Sequence, residues 1–87
     1  MDIFSPDVIL EKEFLDYLKT QLSQVMGPLA EVIIKDEIRE MGEELSKIPH
    51  HRAADLVFFI AQKIPREEKK KIFLETMIKR LNEVNYP

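Results

Sequence analysis

Apolar residues recur three and four positions apart along most of this chain, and the recurrence breaks wherever Gly or Pro stands. That spacing puts one side chain per turn on the same face of an α-helix, and no segment shows the strict alternation of a strand. Gly27-Pro28, Gly42, Pro49 and Pro65 therefore punctuate a helical chain. The pattern predicts an all-α fold: a compact bundle of four helices over about 6–26, 28–41, 51–63 and 66–83, with a short turn near 43–48. Eighty-seven residues make one domain, 1–87, near the lower limit for a self-supporting hydrophobic core.

Each segment carries its own signals. In the first, Ser5 reads as an N-cap, Pro6 as the first helical residue and Asp7 as a complement to the helix dipole. Phe4 would meet Ile9 in a hydrophobic staple. Leu10, Phe14, Leu15, Tyr17, Leu18, Leu22, Val25 and Met26 fall on one half of the wheel. The second segment is expected to end at Met41, with Gly42 in the left-handed conformation and with Leu45 and Ile48 tucked inward beyond it. A helix continuing through Gly42 would cost only about 1 kcal/mol, so the break is the preferred of two readings. The third segment is apolar on most sides, through Ala53, Leu56, Val57, Phe58, Phe59 and Ile60. Such a helix is expected at the centre of its bundle. In the fourth, Phe73, Leu74, Met77, Ile78, Leu81 and Val84 form the expected core stripe, and Asn85-Tyr86-Pro87 reads as a frayed tail.

Charge is divided along the chain. Residues 1–46 hold eleven acids against four bases, a balance of −7, and residues 47–87 hold nine bases against five acids, a balance of +4. The halves are expected to satisfy one another chiefly within the chain. There is no Cys, which rules out a disulfide framework or a thiolate metal site and suits a reducing cytoplasm. No run reaches the roughly 20 apolar residues of a membrane span, and the N-terminus lacks a signal-peptide pattern.

The chemistry-bearing residues are few. Two isolated glycines cannot build a phosphate-cradling loop. His51 and Asp55 share a helical spacing that a metal can use, but no second His or Cys completes a ligand set, so neither metal nor cofactor is expected. Ser46, His50 and Asp55 lack the strained turn and oxyanion donors of a hydrolase. Arg66, Lys69, Lys70, Lys71, Lys79 and Arg80 could meet phosphates, and this basic C-terminal helix is the basis of an alternative reading as a nucleic-acid-binding accessory domain. Glu37 and, less centrally, Glu40 fall inside the apolar arc of the second helix, where a carboxylate marks the line between two apolar strips facing different neighbours. With Val32, Phe59 and Ile72 standing off their helices' core stripes, the candidate interface is Val32, Glu37, Phe59 and Ile72. The expected function is a non-catalytic protein-interaction or dimerisation module, its partner another protein or a second copy.

The stretch from Met26-Gly27-Pro28-Leu29-Ala30 through Gly42, Pro49, Ile64-Pro65 and Phe73-Leu74 resembles a short helical domain of unknown function found at the ends of prokaryotic signalling proteins. The shared marks are a Gly-Pro-x-Ala helix start, a later Gly, and a basic helix with an aromatic-Leu pair. The resemblance covers about two-thirds of the chain and implies a binding role in signalling, with no catalytic residues to carry over. The given residues depart from that pattern in carrying no receiver or kinase part, as a fragment of a longer signalling protein would also do.

Overall fold

A computed structural model describes residues 9–85, the side chains of 83–85 excepted. It is all-helical: α1 (Lys12–Met26), α2 (Ala30–Glu40), α3 (Ala53–Ala61) and α4 (Glu67–Asn85). Short 3-10 turns at Gly27–Leu29 and His50–Arg52 lead into α2 and α3. The helices pack in a ring, α1 on α2, α2 on α3, α3 on α4 and α4 on α1. One contiguous core fills it, with Phe14, Leu18, Leu22, Leu56, Ile60 and Met77 almost fully buried. Burial of each such side chain contributes about 1.5–3 kcal/mol.

The breaks fall at the punctuation read from the sequence. Gly27 ends α1 at φ +64° and Gly42 ends α2 at φ +79°. At the second, Gly42 N–H donates to the Arg39 carbonyl (2.9 Å) and Glu43 N–H to that of Ile38 (3.0 Å). These are the two bonds of a Schellman motif, and they satisfy carbonyls that a helix end leaves open. Helix 2 therefore stops, and the continuation through Gly42 is not taken.

Five expectations are corrected. The first helix does not run from residue 6, because Leu10 N–H donates to the Ile48 carbonyl (2.8 Å) and Ile9 bridges Pro49. Glu11 is accordingly extended (ψ 147°), and α1 begins only at Lys12. The cap at Ser5 and Pro6 and the Phe4 half of the staple lie outside the described residues. Leu45 is not tucked inward but 46% exposed; the inward residue of its loop is Ile48, fixed by that bond to Leu10. Helix 3 occupies a corner of the ring like the others, with Phe58 and Phe59 exposed. Four helices in a ring bury one side of each, and among the described residues no further segment encloses α3. Ile78, placed in the core stripe of the fourth helix, is exposed for the same reason: the stripe is wider than the arc its neighbours cover. In the expected tail, Asn85 still belongs to α4, and 86–87 lie outside the described residues.

Ion pairs join the acidic and basic halves at two places. Lys63 Nζ lies 3.3 Å from Glu37 Oε2, and Arg52 Nε lies 4.0 Å from Glu43 Oε2. Arg80 stacks on the Tyr17 ring, 4.8 Å from its centroid, across the seam between α1 and α4. These contacts follow the expected division of charge, although Lys19, Lys35 and Arg39 pair within the acidic half.

Candidate functional site

Side chains on the flanks of a helix decide what its surface offers, because the core consumes only the central strip. On α3, Ala53, Leu56, Val57, Ile60 and Ala61 are spent on the core. Phe58 and Phe59 fall on opposite edges of that strip, about 100° apart. Their rings still touch edge-on, with centroids 6.4 Å apart at 63°. Phe58 leans towards α4. There it meets Leu74, Ile78 and Leu81 along a groove of about 280 Å³, floored by Ala54 and Val57. Phe58 is 54% and Ile78 51% exposed, so two large apolar side chains border this groove in water. Asp55 is the one charged residue among those lining it, and its carboxylate already lies 3.8 Å from Arg52 Nε.

The residues singled out from the sequence are distributed differently. Val32, Phe59 and Ile72 are all exposed, at 54%, 41% and 61%. Val32 lies about 200° round α2 from the buried Ile34, and Ile72 about 140° round α4 from the buried Met77. Both therefore sit on outward backs, and α2 and α4 stand across the ring from one another. Val32 and Ile72 look away from each other. Phe59 is on the flank of α3 shared with Arg52 and Lys63, seven and four positions away, and its link to the groove runs through Phe58.

Glu37 is buried on the α2 flank that faces α3, and Lys63 reaches it from the end of that helix. Its Oε2 has no aligned hydrogen-bond donor, so the contact is a charge pairing and not a formed hydrogen bond. Its counter-charge thus comes from this chain, from the turn that follows α3. Glu40 is exposed. Ile78 and Phe58 are the groove residues that sequence reasoning missed. The periodicity places Ile78 in a core stripe and Phe58 on a helix apolar nearly all round, and only the width of the arc their neighbours cover distinguishes them from Met77 or Val57.

The other chemistry is dispersed. His51 is exposed on the 3-10 turn before α3, and no three His, Asp or Glu side chains gather around a metal-sized space among the described residues. Of the cations on α4 and just before it, Lys70 lies 3.5 Å from Glu67 and Arg80 is held on Tyr17, leaving Arg66, Lys69, Lys71 and Lys79 to solvent. No helix among the described residues is long and apolar enough to cross a membrane.

No curated protein and no solved structure matches the chain. A family profile does, over residues 13–85, which takes in the four helices except Lys12 and the groove between α3 and α4. The chain belongs to the family described as a domain of unknown function, DUF8082.

Proposed function

We propose that this chain is a non-catalytic protein-interaction or dimerisation module that docks through the α3–α4 groove. The observation that carries the reading is the groove itself. Phe58 and Ile78 stand exposed beside an apolar furrow whose one charged lining residue is already paired. Solvated helix flanks are ordinarily polar, and contiguous apolar patches on small proteins mark contacts with other proteins. An aromatic pair beside a furrow is also the composition favoured at interface centres. At about 280 Å³ the furrow is below the usual range of small-molecule sites, and it suits side chains better. A cytoplasmic place in prokaryotic signalling belongs to the same proposal, and rests on the resemblance of the Gly27-Pro28-Leu29-Ala30 segment. The nucleic-acid reading has less behind it, because the aromatic of α4, Phe73, is buried in the core.

Light scattering across a concentration series tests the dimerisation form. Mass is expected to rise with concentration, and Phe58→Ser with Ile78→Ser to weaken association at least about tenfold. A photo-crosslinking residue at position 58 tests the other form, with position 47 as control. A mass that stays monomeric at millimolar concentration, together with no position-58 adduct in lysate of the source cells, removes the proposal.

A further inference from the structure

Residues 1–46 carry only four bases, and three of them, Lys12, Lys19 and Lys35, line a single cleft. It opens between α1, α2 and the 43–48 loop and holds about 440 Å³, within the range of small-molecule sites. Its walls are apolar: Leu10 and Ile34 are buried, Leu15 is half-buried, and Leu45 forms the exposed lip. The lining acids are Asp16 and Glu31, so the cleft carries a local balance of +1 in a half of the chain whose balance is −7. Glu31 lies between two of the bases, 3.4 Å from Lys19 Nζ and 3.2 Å from Lys35 Nζ. Two ammonium groups from different helices are thus held beside an apolar hollow by one internal carboxylate. The exposure of Leu45, unexplained by the core, has a use here as the hollow's outer wall.

We infer that this cleft binds a small amphipathic anion, with an apolar body over Leu15, Ile34 and Leu45 and one carboxylate shared between Lys19 and Lys35. Glu31 positions both ammonium groups and competes for them. Because these side chains are half exposed, affinity is modest, with a dissociation constant on the order of 0.1–1 mM. The site is separate from the α3–α4 groove, so the two proposals stand or fall independently.

Titration of the full 87-residue chain with sodium octanoate, followed by amide NMR, is the test. Saturable shifts are expected at residues 10, 15, 34 and 45, with 1-octanol about three- to tenfold weaker. Lys19→Gln combined with Lys35→Gln should weaken octanoate about three- to tenfold and leave octanol unchanged. Glu31→Gln should tighten octanoate about two- to fivefold, because it removes the internal competitor. A purely structural role for Glu31 gives the opposite sign, weakening both ligands. If a charge variant does not fold, Leu45→Ser on the exposed loop supplies a second arm and should weaken both ligands. Equal affinity for octanol and octanoate overturns the inference, as do shifts centred on Phe58 and Ile78 or the lack of saturation. Cleft amides that move with protein concentration alone would identify a contact between copies and overturn it as well.

Discussion

At the residue scale, Gly42 shows how a single backbone angle ends an element. Its φ of +79° is one that an L side chain enters only at a cost of about 1–2 kcal/mol. Nothing lies within 4 Å of where a Cβ would stand, so that cost is conformational and not steric. Gly42→Ala should therefore lower stability by about 1–2 kcal/mol, and Gly42→Asn by less, as read from urea unfolding midpoints. Glu31 is the matching case for charge. The Lys35 ammonium, and then that of Lys19, hold its carboxyl below the ordinary glutamate range. Gly42 was legible in the sequence because its role is local. The partner of Glu31 on α1 was not, because Lys19 is twelve residues away.

Between elements, α2 and α3 are tied by a charge that the core half encloses. The Glu37 carboxylate is buried, whereas the Lys63 side chain is 49% exposed. Removing the lysine leaves a buried anion without its counter-charge; removing the glutamate leaves a cation that water can solvate. Lys63→Met is accordingly expected to cost about 1–3 kcal/mol, discounted for its exposure. Glu37→Met should fall within about 1 kcal/mol of neutral, since a side chain of similar volume replaces a desolvated charge. Chemical denaturation of the two variants decides it, and equal losses would contradict this asymmetry. The sequence marked Glu37 as anomalous within an apolar arc but not what it meets, because Lys63 lies in the turn after α3, 26 residues along the chain. The start of α1 has the same origin. The cap signals at Ser5 and Pro6 are local, and at Ile9 and Leu10 a pairing with Ile48 and Pro49 prevails.

For the molecule as a whole, the division between core and surface runs through the apolar residues themselves. Leu56 and Phe58 are two positions apart on α3, yet Leu56 is fully buried and Phe58 is 54% exposed. Leu56→Ala should cost about 2–5 kcal/mol, a large share of the stability of so small a domain. Phe58→Ser should leave the thermal midpoint nearly unchanged and act on association instead. Calorimetry and light scattering on the same two variants separate these effects. A Phe58→Ser variant as destabilised as Leu56→Ala would mean that the groove is part of the core.

By itself, the sequence determined the all-α class, four helices, the stop at Gly27, the preferred of two readings at Gly42, and the strip of α1 that faces inward. These follow from properties within one turn or two of chain: periodicity, the freedom of glycine, the missing N–H of proline. Tertiary structure alone decided which apolar flanks remain in water, that Val32 and Ile72 face away from each other, and that Lys12, Lys19 and Lys35 meet over one hollow. The physical reason is that a helix wheel gives the direction of a side chain but not the width of the neighbour opposite. That width is set by how four helices share a ring.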